Sequence, residues 1–224
     1  MISMTERHKK LPISNLDEHP YLASQRPFIE LMMKYNCALR EVSTKFEVLD
    51  DEFSVRYNRN PVESIKTRIK SPHSIVDKLK RKGHEFTIDN IRDHISDVAG
   101  ARIICSFPED IYMLADMFMR QDDVTVVEIK DYIKNPKPSG YRSYHLIIDI
   151  PVFLTESTEN MRVEVQFRTI AMDFWASLEH KLKYKKDIDS PDAEEIALQL
   201  KECSERIAKI DLEMQEIRKR IDME

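Results

Sequence analysis

The chain has 224 residues, a formal net charge of −5 and 33% charged residues, with no apolar run near the ~20 residues that span a bilayer. That balance excludes bulk attraction to nucleic acid or an anionic membrane, so any anion site must arise from local clustering. Only three glycines are present, Gly83, Gly100 and Gly140, and neither a P-loop nor a GxGxxG turn can be assembled from them. Bound phosphates would therefore be met by lysine and arginine side chains plus a metal. Three cysteines (Cys37, Cys105, Cys203) form no CxxC and no even framework, which points to reduced thiols. The opening MISMTERHKKLPIS carries no hydrophobic signal core. A soluble cytoplasmic protein is expected.

In chain order, residues 1–21 form an N-terminal segment and residues 22–58 read as a long helix. Phe28, Tyr35, Val42 and Leu49 interleave with Met32, Leu39, Phe46 and Phe53 in one apolar stripe. Ser71-Pro72 opens a short helix that Gly83 closes. Val98–Phe107 is an apolar strand, followed by a helix from Pro108 to about Met119. Strands are expected at Val124–Ile129 and Ser143–Ile150. Another lies at Arg162–Arg168, where Val163, Val165 and Phe167 alternate with Arg162, Glu164, Gln166 and Arg168. Ala171–Tyr184 is an amphipathic helix. After Ser190-Pro191, Ile196, Cys203, Ile210 and Ile217 alternate with Leu200, Ile207, Met214 and Ile221 in a second heptad stripe. The expected fold is mixed α/β, residues 22–187 forming one domain and 188–224 a heptad helix. Each heptad helix could pack on the domain, on the other, or on another subunit.

Three constellations carry chemistry. YIKNPKPSGYRSYH, from Tyr132 to His145, packs Lys134, Lys137 and Arg142 with Tyr132, Tyr141 and Tyr144 around a turn. The cations suit phosphates and the rings suit a base. KTRIKSPHSIVDKLKRK, Lys66–Lys82, sets seven basic residues against Asp77. Ser74 and Lys78 share a face near a helix N-terminus, where anions are favoured, and Arg68 and Lys70 point the same way if extended. Third, Asp97 at the mouth of one strand and Glu164 on the polar face of another are the type of carboxylate pair that holds Mg²⁺ together with substrate phosphates. Arg102, on the same strand as Asp97, can stack on a base. His73, His84 and His94 lack metal-ligand spacing and read as surface or packing residues, and Trp175 reads as core.

Five ordered segments, RIKSPHSIVDKLKRKG, DVAGARIICSF, YIKNPKPSGYRSYHL, VEVQFRT and AMDFWASLEHKLKYK, resemble the synthetase domain of the RelA/SpoT superfamily, in its stand-alone small alarmone synthetase form. The resemblance implies a nucleotidyltransferase-like mixed sheet flanked by helices and a homotetramer joined through terminal helices. It implies transfer of the β,γ-pyrophosphate of ATP to the 3′-hydroxyl of GDP or GTP, giving AMP and (p)ppGpp, the alarmone of the stringent response. It also implies roles. Arg68 and Arg102 would sandwich adenine, and Lys70, Ser74 and Lys78 would hold ATP phosphates. Asp97 would ligate Mg²⁺, and Glu164 would bind metal or act as base. Tyr141 would stack on guanine, with Lys134, Lys137, His145 and Gln166 completing the acceptor site. In the alarmone-stimulated branch an aromatic and a threonine precede the position of Arg68. Ser64 and Lys66 stand there here, which places the chain nearer the unstimulated branch. Two further readings stay open: a tRNA 3′-end pyrophosphokinase of the same fold, against which the net charge weighs, and a helical scaffold with a vestigial cleft. No membrane and no stable nucleic-acid partner are expected.

Overall fold

The computed structural model describes residues 25–184 and 193–221. Helix α1 (Arg26–Tyr57) starts with Pro27 in its first turn and ends at Asn58 in the left-handed region, φ 49°, a conformation asparagine adopts more readily than most residues. Strand β1 (Val62–Ile69), helix α2 (Pro72–Arg81) and helix α3 (Ile88–His94) follow. Next come β2 (Ala99–Cys105), α4 (Pro108–Met119), β3 (Thr125–Asp131), β4 (Tyr144–Phe153) and β5 (Thr158–Thr169). Helices α5 (Ile170–Tyr184) and α6 (Ala193–Ile221) close the described chain. Residues 1–21, the Ser190-Pro191 cap and the expected boundary at 187 lie outside the described residues.

The five strands form one sheet in the order β1-β2-β5-β4-β3. Only β2 and β5 run parallel, and the other pairs are antiparallel. The parallel register sets Gly100 opposite Glu164 and Arg102 opposite Gln166. Helix α1 lies across β1, β2, β4 and β5. It buries Tyr35, Leu39, Val42, Phe46, Leu49 and Phe53, with Leu31 and Ala38. Phe46 stacks on Phe118 of α4 and meets Phe167 of β5 edge-on. At about 1.5–3 kcal/mol per buried large side chain, this stripe is a major part of the core. The N-terminal heptad helix thus packs within its own domain.

Three elements depart from the expected map. Val62–Ile69, for which no strand was expected, is a full edge strand, and Ile88–His94 is a short helix capped by the Thr87 side chain. Helix α6 departs more sharply. Its buried residues are Ser204, Asp211 and Gln215, while Ile210, Met214, Ile217 and Ile221 stand exposed. The helix docks through its polar face, with Ile196, Leu200 and Ile207 half-buried, and turns the C-terminal part of the heptad stripe outward. Four apolar residues of α5, Ile170, Phe174, Leu178 and Leu182, are exposed at four-residue spacing as well.

Candidate active site

One face of the sheet packs against α1 and α4, and the other carries the polar residues. Alternation puts Lys66 and Arg68 of β1, Gly100 and Arg102 of β2, Glu164 and Gln166 of β5, and His145 of β4 on that second face. A cavity of 190 Å³ is lined by Lys66, Thr67, Arg68, Gly100, Ala101, Arg102 and Gln166. Gly100 leaves room for the Arg68 side chain, which would lie 3.5 Å from a Cβ at that position. Arg68 and Arg102 therefore border one space, as two clamps on a planar ring would.

At one end of this face Asp97 meets two lysines. Its Oδ1 accepts from Lys78 Nζ at 2.8 Å and its Oδ2 pairs with Lys70 Nζ at 2.9 Å. Lys70 is set there by the backbone, its N–H donating to Val98 O at 2.8 Å. Lys78 projects from α2, whose N-cap Ser71 accepts from the Ser74 backbone N–H and donates to the Ser74 hydroxyl. Burial would raise the Asp97 carboxyl, but hydrogen bonds from the two lysines hold it below its ordinary value. Ser74 is exposed at the helix start. Lys70, Lys78 and Asp97 are thus brought together, and Ser74 stands one turn before Lys78 on α2, bonded to Ser71.

Glu164 sits on β5 with a side chain only 14% exposed. His145 Nδ1 lies 3.3 Å from Oε1, and Gln166 Nε2 donates to Oε2 at 2.7 Å. Burial pushes this carboxyl up, while the His145 and Gln166 contacts more than offset it, and the nearby Asp97 charge opposes them. The Tyr141 hydroxyl lies 2.9 Å from His145 Nε2 and accepts from Arg168 Nη2 at 2.8 Å. With Nδ1 facing a carboxylate, the histidine carries its proton there, and Nε2 accepts from the tyrosine.

Asp173, on the first turn of α5, gathers three cations that the sequence left unconnected. It pairs with Arg102 at 3.1 Å, Arg168 at 3.0 Å and Lys66 at 3.2 Å. Burial raises its pKa, but these partners bring it below the usual value. Its only sequence signal was an acid just after a strand ending in arginine, too common to single out.

Two loop expectations are corrected, those for Tyr144 and Arg142. Tyr144 offers no face to a base: it is 8% exposed and packs edge-on against Tyr112 and Phe167. Arg142 donates to Ile133 O at 2.9 Å, so it braces the loop. Lys134 lies 3.6 Å from Asp131 and over the Tyr112 ring, outside the Glu164 cluster. Lys137 stays with the cluster, its Nζ 4.6 Å from the Tyr132 centroid and 4.9 Å from that of Tyr141. Trp175 is core-like, 5% exposed, with Nε1 donating to Leu200 O, and His84 stacks on His94 at 3.6 Å.

Among the described residues no group of three or more metal-binding side chains exists. Asp97 and Glu164 nonetheless supply hard oxygens on one face, near enough to act on each other electrostatically. That set suits Mg²⁺, which is commonly held by one or two carboxylates plus substrate phosphates.

The pattern describing the region found in RelA / SpoT proteins matches residues 67–189. GTP pyrophosphokinase YwaC of Bacillus subtilis is 47% identical over 191 residues, 85% of this chain and 90% of that protein. The crystal structure of small alarmone synthetase 2 from Bacillus subtilis superposes with a TM-score of 0.75 at 46% identity, covering 85% of this chain and 97% of its own. Small alarmone synthetase 1 from the same organism, bound to its product pppGpp, gives a TM-score of 0.78 at 35% identity, covering 88% and 98%. The chain belongs to the RelA/SpoT family and, within it, to the small alarmone synthetases.

Proposed function

We infer that this chain is a GTP pyrophosphokinase, which moves the β,γ-pyrophosphate of ATP onto the ribose 3′-hydroxyl of GDP or GTP. The products are AMP and (p)ppGpp. The observation that carries the reading is Glu164, a carboxylate only 14% exposed that lies 3.3 Å from His145 Nδ1 and accepts from Gln166 Nε2 at 2.7 Å. It stands on the strand next to the arginine-lined cavity and on the same polar face as the Lys70–Asp97–Lys78 cluster.

The chemistry follows from the placement. Arg68 and Arg102 clamp adenine across the 190 Å³ cavity. Lys70 and Lys78 now neutralise Asp97. With a triphosphate bound, the two lysines would serve its phosphates and leave the Asp97 carboxylate to the metal. Asp97 and Glu164 would hold Mg²⁺, which supplies charge neutralisation on the phosphates. Tyr141 offers its ring to guanine, with Lys137 and His145 beside it, and Gln166 helps place the acceptor. Glu164 takes the proton from the 3′-hydroxyl as that oxygen attacks the β-phosphorus. The bond from the β-phosphorus to the oxygen of the α-phosphate breaks, and AMP leaves.

Lys66 occupies the position expected for threonine in the stimulated branch and is paired with Asp173. An effector binding there would have to break that pair, which supports a chain not stimulated by its own product. The outward heptad stripe of α6 and the exposed stripe of α5 support a homotetramer of subunits joined through these helices. No helix among the described residues is long and apolar enough to cross a membrane, and we read the protein as cytoplasmic. Incubation with labelled ATP and GDP, GTP or bulk tRNA tests the assignment. Label on the guanosine nucleotide supports it, and label on tRNA alone overturns it.

A further inference from the structure

We propose that helix α6 positions the acceptor loop, with Ser204 as the positioning residue. The proposal rests on the reading that Tyr141 receives the guanine base. Gly140, directly before Tyr141, has φ +89° and is packed against α6. A Cβ there would lie 2.9 Å from Ser204 Cβ and 3.1 Å from the Lys201 backbone Cα. Few contacts between a loop and a helix are this close, and glycine alone permits both the approach and the conformation. Ser204, 3% exposed, donates its hydroxyl to Gly140 O. About two helical turns later, on the same face, Asp211 accepts from the Thr169 hydroxyl. Thr169 follows Arg168, which donates to the Tyr141 hydroxyl. Ser204 therefore grips the residue next to Tyr141 directly, and Asp211 anchors the residue that follows Arg168.

Within one subunit α6 docks through polar side chains. It buries Ser204, Asp211 and Gln215 and leaves Ile210 and Ile217 exposed. Ser204 bonds to Gly140 and Asp211 to Thr169, the chain neighbours of Tyr141 and Arg168, while Gln215 accepts from the Glu109 backbone N–H of α4. A buried carbonyl deprived of its donor is costly. Ser204 thus orders the loop before the acceptor arrives, so that its ordering does not weaken binding.

The test is Ser204→Ala in the full chain, read in two ways. Amide hydrogen exchange across residues 136–143, without nucleotide, reports the clamp itself. Separate KM values for GTP and ATP report its use. Loss of one hydrogen bond should speed exchange at Gly140 and Tyr141. It should also raise the GTP KM by about 2- to 12-fold while leaving the ATP KM unchanged. Unchanged exchange would overturn the clamp. Faster exchange with an unchanged GTP KM would overturn the positioning role and leave a structural contact, while the acceptor reading itself stands or falls with the GTP KM of Tyr141→Ala. Equal rises in both KM values would also overturn it, since a general loosening of the fold is not positioning.

Discussion

Tyr141 and His145 are joined by a 2.9 Å hydrogen bond, and that bond links the two halves of the cleft. From His145 the chain of contacts runs to Glu164. From Tyr141 it runs through Arg168 to Asp173, and on to Arg102 in the adenine clamp. The residue proposed to stack on guanine is thus fixed by the groups that hold the base and the donor site. Tyr141 is a member of a network as well as a ring.

Glu164→Gln should abolish synthesis while leaving both nucleotides bound. The amide keeps the shape and the contact with Gln166 but cannot take a proton. Loss of a general base costs on the order of 10²–10⁴ in rate. Calorimetric binding of GTP beside a turnover assay checks it, and near wild-type turnover would remove Glu164 from the mechanism.

Tyr141→Ala should weaken the guanine acceptor far more than ATP. Base–aromatic stacking is worth about 1–3 kcal/mol per base, which is roughly a 5- to 150-fold rise in acceptor KM. Tyr141→Phe keeps the ring and loses only the bonds to His145 and Arg168, so its acceptor KM should rise less. Equal weakening of both substrates in the alanine variant would assign the loop to the donor.

The pH profile carries a sign. Burial pushes the Glu164 carboxyl up, and the His145 and Gln166 contacts hold it below its ordinary value. A base with a depressed pKa stays ionised until the pH falls below the ordinary carboxylate range, so kcat/KM should decline only there. In His145→Ala the burial effect prevails, and the acid limb should move to higher pH. An acid limb that stays in place would separate the two residues.

Asp211 has the opposite sign. Burial raises its pKa against the lowering effect of its Thr169 hydrogen bond. A raised carboxyl in the folded state contributes stability below its unfolded value and loses it as pH rises through the folded value. Asp211→Asn keeps an acceptor for Thr169 without the charge. It should melt at or above the wild-type temperature at pH 7, and the gap should close as pH falls towards about 4.

The heptad stripe of α6 gives a test of assembly. Ile210→Asp with Ile217→Asp places two charges in a seam that is exposed in the single chain. Buried against a partner and unpaired, each costs several kcal/mol, so light scattering should report dissociation. A folded variant of unchanged mass would place the subunit contact elsewhere.

Much of this was legible in the chain itself. The β5 alternation placed Glu164 on a polar face, and the Ser71-Pro72 start and Gly83 stop fixed α2, with Gly83 at φ +77°. Strand β1 was hidden because Val62, Ile65 and Ile69 fall at helical spacing, while exposed charged residues fill its open edge. Tyr144 was misjudged because it was counted with the loop although the expected strand already included it, and alternation sends it to the face opposite His145. Asp173, Ser204 and Asp211 were missed because each acts through tertiary contacts. Helix α6 carried two heptad-like stripes. Apolar periodicity pointed to the isoleucines, although the polar set of Ser204, Asp211 and Gln215 is the one that docks.

The central claim is that Glu164, Asp97 and the two arginines form a working pyrophosphokinase centre. The most direct test mixes the purified protein with γ-labelled ATP, GTP and Mg²⁺, and follows AMP and labelled guanosine product together. The expected result is Mg²⁺-dependent release of one AMP for each labelled 3′-pyrophosphorylated nucleotide, lost in Glu164→Gln. Release of ADP and free phosphate, or label on GTP that persists in Glu164→Gln, would contradict the account.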